Sequence, residues 1–258
     1  MAHRTPILAG NWKMHKNHLE AIQVVQQLAY RLEDRDYEHA EIAVCPPFTA
    51  LRSIQTLIQG DDLKLQLGAQ DCHWEDQGAF TGEVSPPMLA ELDVAYVVVG
   101  HSERRELFGE DDATVNAKAR AVLTHGMRPI VCVGETLEQR EAGEAEGVVR
   151  RQLDGSLAGI TTEQMAEVVV AYEPVWAIGT GKTALPSDAD EMCGAIRTRI
   201  AEQYGQAVAD GLRIQYGGSV KPGNVKDLMG QEHVDGALVG GASLDPEDFA
   251  VLCSYHRL

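Results

Sequence analysis

The chain has 258 residues, 44% of them hydrophobic, which is enough for a sizeable core in one large domain or two small ones. Its 39 acidic residues outnumber 22 basic ones and give a net charge of -17, which argues against nucleic acid or an anionic membrane surface as a partner and requires a locally positive pocket for any anionic ligand. Five cysteines (Cys45, Cys72, Cys132, Cys193, Cys253) stand far apart with no CxxC pair, and no apolar stretch approaches the length of a membrane span, so a cytoplasmic protein is expected.

Short apolar runs alternate with longer amphipathic ones from end to end. PILAGNW, from Pro6, precedes HLEAIQVVQQLAYRLED; EIAVCPP, from Glu41, precedes TALRSIQTLIQ; KLQLGAQ, from Lys64, precedes PPMLAEL; AYVVVG, from Ala95, precedes DATVNAKARAVLTHG. The second half continues with RPIVCVG from Arg128 and LEQREAGEAEGVVRRQL, then EVVVAYE from Glu167 and DADEMCGAIRTRIAEQY. LRIQYGG from Leu212 with PGNVKDLM, and VDGALVG from Val234 with PEDFAVLCSY, complete the series. Strands buried on both faces read as continuous apolar runs, and helical connections between them imply a parallel sheet. Eight βα units in this length predict an α/β chain folded as one closed (β/α)₈ barrel over residues 1–258, because an open doubly wound sheet usually has fewer strands.

One connection breaks the rhythm. QDCHWEDQGAFTGEV, from Gln70 to Val84, separates the third apolar run from its helix and is long by the usual measure of roughly 12 to 15 residues. It carries Trp74 and Phe80. Two readings stand equally: a loop packed on its own barrel, or an arm that docks into another subunit through its aromatic residues.

In such a barrel the active site lies at the C-terminal ends of the strands and in the loops after them. Asn11 and Lys13 follow the first strand, His101, Ser102 and Glu103 the fourth, Glu173 the sixth, Gly217, Gly218 and Ser219 the seventh, and Gly240 and Gly241 the eighth. Lys13, otherwise an ordinary surface lysine, can attract a phosphate and stabilise negative charge on a nearby oxygen, to which Asn11 can donate a hydrogen bond. His101 precedes a helix start that Ser102 can cap; helix N-terminal amides disfavour an imidazolium there, leaving a neutral ring able to donate. Glu103 is either a capping carboxylate or a partner for Lys13, a supporting role in both cases. Glu173 reads as a general base, whose pKa rises if a loop closes over it and excludes water.

The glycines fit no nucleotide fingerprint. Pro174 and four further residues separate Gly179 from the strand, where a dinucleotide site turns directly into a helix, and GxxxxGK[ST] would need glycine at Trp176. Turns at Gly179, at Gly217 with Gly218, and at Gly240 with Gly241 can instead direct backbone amides at one phosphate, assisted by a helix N-terminus after the last. His15 and His18 lack the partners of a metal motif, so no metal is expected, and Cys132 sits inside a strand as core.

GNWKM at Gly10, GHSERRELFGE at Gly100, VCVGET at Val131, AYEPVWAIGTGKTA at Ala171, YGGSV at Tyr216 and VGGASL at Val239 closely resemble the triosephosphate isomerase family, in order and across the whole chain. The resemblance implies a TIM barrel and a cofactor-free interconversion of dihydroxyacetone phosphate and D-glyceraldehyde 3-phosphate in glycolysis and gluconeogenesis. It further implies Glu173 as the base, Lys13 and Asn11 as enediolate-stabilising substrate ligands, and a neutral His101 that polarises and protonates the oxygens. Gly179, Ser219, Gly240 and Gly241 would hold the phosphate, EPVWAIGTGKT would be a closing lid, and the arm around Gln70, Phe80 and Thr81 would build a homodimer, with Thr81 reaching the partner's Asn11 and Lys13 region. Asp71 stands where the family has Asn, Leu185 where Thr is common, and Cys193 where His is frequent. Two other functions remain open on the residues: an aldolase-type lyase working through a lysine Schiff base, for which EVVVAYE offers no lysine, and a non-catalytic sugar-phosphate sensor, which has no need of Glu173.

Overall fold

Eight parallel strands pair in chain order and close on themselves in the computed structural model, which describes residues 4–177 and 184–258. They are β1 (Ile7–Asn11), β2 (Glu41–Cys45), β3 (Gln66–Ala69), β4 (Val94–Val99), β5 (Arg128–Val133), β6 (Val169–Tyr172), β7 (Arg213–Tyr216) and β8 (Gly236–Val239). The barrel closes where β1 pairs with β8 from Ile7 opposite Gly236 to Gly10 opposite Val239. Around it, among the described residues, run α1 (His18–Arg31), α2 (Asp34–His39), α3 (Phe48–Gly60), α4 (Pro86–Ala90), α5 (Ser102–Phe108) and α6 (Asp112–Thr124). The second half adds α7 (Leu137–Glu141), α8 (Ala145–Ser156), α9 (Pro186–Tyr204), α10 (Gln206–Gly211), α11 (Val225–Met229) and α12 (Pro246–Cys253).

Period-two alternation sorts the strand residues between two cores. Ile7, Ala9, Ala43, Tyr96, Val98 and Ile130 belong to the cluster inside the barrel. Leu8, Ile42, Val44, Val97 and Val131 pack outward against the helices. α1 shows how the outer layer is specified: Asn17 accepts from the amides of Leu19 and Glu20 and the Glu20 side chain answers the Asn17 amide. Ala21, Val24, Val25 and Leu28 then recur on one buried face. The first residues of three strands close the N-terminal end of the barrel, where Glu41 accepts from Arg213 at 2.8 Å and from the Tyr96 hydroxyl, and Arg128 lies 3.5 Å from it.

All eight expected strands are present. α2 and α10 fall outside the expected runs, and the run from Leu137 divides into α7 and α8; α5, expected from its cap alone, and α7 bury none of their own residues and so carry no apolar stripe. In the long third connection His73 stacks between Trp74 and Phe80, each 4.2 Å away, yet residues 74–83 are all exposed. It packs on itself and still presents its tip to solvent.

Candidate active site

A cavity of about 570 Å³ opens at the C-terminal end of the barrel, lined by Asn11, Lys13, His101, Glu173, Ser219 and Gly240 among others. The strand ends that deliver these residues lie far apart in sequence, and barrel closure alone brings them to one mouth. Gly241 lines the same cavity. Gly179 lies outside the described residues, as do Gly181 and Lys182 of the expected lid.

Glu173 follows β6 directly and is 2% exposed. Its neighbours are glycines because nothing larger fits: a Cβ on Gly134 would stand 1.7 Å from the Glu173 carbonyl oxygen, and one on Gly217 would stand 2.9 Å from the Glu173 Cγ. One carboxylate oxygen, Oε1, meets His101 Nε2 at 2.9 Å, and the other accepts from the Ser102 amide at 2.9 Å. Burial pushes this carboxyl toward its neutral form, but His101, the Ser102 amide and Lys13 outweigh burial and hold it below the usual carboxylate range.

His101 is itself the cap of α5, in the place expected of Ser102. Its Nδ1 accepts from the Glu103 amide at 3.2 Å, and Ser102 becomes the first helical residue, free to give its amide to Glu173. With Nδ1 accepting from the Glu103 amide, the ring nitrogen that donates to Glu173 is Nε2. Burial disfavours the imidazolium and the Glu173 carboxylate favours it more strongly, raising the His101 pKa above its usual value. The Glu103 amide resists that protonation at the other nitrogen.

Lys13 adopts a left-handed backbone, φ 52°, one residue past the buried Trp12. Two contacts fix it there: its amide donates to Asn11 Oδ1 at 3.1 Å, and its carbonyl accepts from Gln70 Nε2 at 2.9 Å. The same Gln70 nitrogen donates to the Cys45 carbonyl at 2.8 Å, tying the ends of β1 and β2 to the third loop. The ammonium pairs with Glu103 at 2.7 Å, so Glu103 is the partner of Lys13 rather than a cap. Because Asn11 spends its carbonyl on the Lys13 amide, the Asn11 Nδ2 is its donor toward the cavity. Beside Lys13, Gly240 heads a 3₁₀ turn, Gly241–Leu244, at the end of β8; a Cβ there would touch the Lys13 Cε at 3.6 Å.

Two residues with supporting geometry escaped the sequence reading. From sequence, Gln70 belongs only to the arm. Glu135, after β5, is fully buried and accepts from Trp176 Nε1 at 2.8 Å, Tyr172 at 3.1 Å and Arg140 at 3.2 Å, while Arg140 lies over the Trp176 ring at 4.7 Å. A glutamate one glycine past an apolar strand is the available signal. Asp71 is buried and paired with Lys118 at 2.7 and 2.9 Å and with Arg104 at 2.9 Å; both cations also reach Glu110. Burial raises its pKa more than Lys118 and Arg104 lower it. Leu185 occupies the N-cap position of α9 and is exposed, and Cys193 is core on the same helix. Cys132 is also core, its thiol driven up by burial and by nearby Glu173, the reverse of an activated nucleophile. His15 lines the cavity mouth, and His18 is the exposed first residue of α1.

A family model described as triosephosphate isomerase matches residues 6–256. A protein named triosephosphate isomerase from Saccharopolyspora erythraea is 58% identical over 249 residues, covering 96% of this chain and 95% of that one. Its namesake from Streptomyces coelicolor is 56% identical over 255 residues, 99% of each chain. Among solved structures, the crystal structure of triosephosphate isomerase from Bartonella henselae aligns with a TM-score of 0.87 at 38% identity, covering 98% of this chain and 100% of that chain.

Proposed function

Because the chain belongs to the triosephosphate isomerase family, we propose that its barrel mouth interconverts dihydroxyacetone phosphate and D-glyceraldehyde 3-phosphate by proton transfer through an enediolate. The observation that carries this is the approach of three groups to one cavity: a carboxylate 2% exposed, an imidazole 2.9 Å from it, and an ammonium on the neighbouring rim.

Glu173 is the base that takes the proton from carbon. His101 presents Nε2–H, and when substrate enters, that proton passes from the Glu173 hydrogen bond to a substrate oxygen, polarising the carbonyl and supplying the proton that the enediolate needs. Lys13 and the Asn11 amide face the charge that develops on oxygen. Ser219, Gly240 and Gly241 bind the phosphate; Gly240 follows β8 and opens a 3₁₀ turn whose first amides have no acceptor inside the turn, an anion site of the helix N-terminal kind. Gly179 completes that site in the family's pattern. Glu103 and Ser102 support the cluster, one holding the Lys13 ammonium and the other the Glu173 carboxylate. These steps need only groups that the chain supplies, with no cofactor or metal.

Residues 1–258 act as one barrel domain, in a cytoplasmic homodimer joined through the loop around Gln70, Phe80 and Thr81. Support for the arm is its ten consecutive exposed residues and the half-exposed Trp74 and Phe80. All five cysteines are free and buried, which suits a reducing compartment. Among the described residues no helix is long and apolar enough to cross a membrane.

The test is an assay that couples dihydroxyacetone phosphate formation from D-glyceraldehyde 3-phosphate to reduction by a nicotinamide cofactor. Turnover is the expected result, and binding of the phosphate ester without turnover would favour a sensor. Borohydride trapping of a covalent adduct would favour the lyase.

A further inference from the structure

The phosphate dianion must enter a protein whose net charge is -17. Among the described residues lining the cavity, and apart from its histidines, the charged groups are two lysines, Lys13 and Lys221, and two carboxylates, Glu173 and Asp248. The Lys13 ammonium is already engaged by Glu103 at 2.7 Å. Lys221 is exposed and makes no ion pair among the described residues.

Its backbone is fixed beside the phosphate-facing turn. Asn224 accepts from the Lys221 amide at 2.7 Å and donates from its own Nδ2 to the Ser219 carbonyl at 3.0 Å, so one side chain clamps both ends of the segment Ser219–Lys221. We infer that Lys221 is the mouth cation that recruits the substrate's phosphate, supplying at the entrance a positive charge not spent on an ion pair where the rest of the molecule repels a dianion. This deepens the isomerase reading and rests on it. Without Lys221 the one lysine left in the described lining is Lys13, which Glu103 already engages, against the carboxylates of Glu173 and Asp248. The interaction acts across solvent before contact, so it governs capture of the dianion rather than the proton transfers at Glu173.

The inference is tested with Lys221→Gln, Lys221→Glu and Lys221→Arg, using D-glyceraldehyde 3-phosphate as substrate, inorganic phosphate as inhibitor and uncharged D-glyceraldehyde as control. At about 10 mM ionic strength, where the Debye length is about 30 Å, Lys221→Gln should lower kcat/KM and weaken phosphate inhibition by about three- to tenfold. Lys221→Glu should lose more and Lys221→Arg should resemble the native enzyme. The deficit should shrink at about 1 M salt, where the Debye length is about 3 Å, and should be missing with glyceraldehyde. Native kinetics in Lys221→Gln at low salt, or an equal deficit at high salt and with the neutral substrate, would overturn the role. A native enzyme that fails to turn over glyceraldehyde 3-phosphate would instead remove the isomerase reading, a result separate from any comparison of variants.

Discussion

Glu173 accepts from the His101 ring and the Ser102 amide at once, and these two donors explain an ionised carboxylate at a position only 2% exposed. An acid whose pKa is lowered by folding stabilises the native state above its unfolded value and loses that contribution as pH falls through the folded value. The difference in thermal midpoint between the native protein and Glu173→Gln should therefore shift in favour of the variant as pH falls from 7 through and below the usual carboxylate range. An offset that stays constant down to pH 3 would contradict the depressed pKa. The rim position of Asn11, Lys13, His101 and Glu173 was legible because each stands at or just past the end of an apolar run that reads as a buried strand. The Gln70 hydrogen bond to the Lys13 carbonyl was not, since a contact across 57 positions leaves no local pattern. Nor was the capping role of His101: a hydroxyl one residue on is the commoner cap, and the choice is set by Nδ1 reaching the Glu103 amide.

Among the elements, the strands were legible because both of their faces are buried, by barrel interior on one side and by helices on the other. The third loop was legible in length but not in outcome. Its root rests on Asp71, a buried carboxylate matched by Lys118 and Arg104, which also share Glu110. Two buried carboxylates with two cations leave the network electrically balanced. Asp71→Ala removes one carboxylate from beneath Lys118 and should cost about 2–3 kcal/mol in urea unfolding, whereas Asp71→Asn, which keeps an acceptor at the same place, should cost less. A midpoint unchanged in Asp71→Ala would show that Lys118 is satisfied by Glu110 alone.

On the scale of the whole molecule, barrel closure gathers residues from β1, β4, β6, β7 and β8 around one mouth, and the exposed arm presents a surface from beside that mouth. Because Gln70 belongs to the arm and also grips the Lys13 carbonyl, the arm and the active site share a hydrogen bond. Deleting residues 76–81 should convert a dimer to a monomer in sedimentation and weaken turnover at the same time. An unaltered dimer would dismiss the arm as the interface. The measurement that bears most directly on the central claim is the rate of glyceraldehyde 3-phosphate isomerisation by Glu173→Gln beside the native enzyme. A general base contributes about 10² to 10⁴ in rate, so kcat should fall by at least about 10² while inhibition by inorganic phosphate persists. A variant that isomerises at close to the native rate would contradict proton abstraction by Glu173.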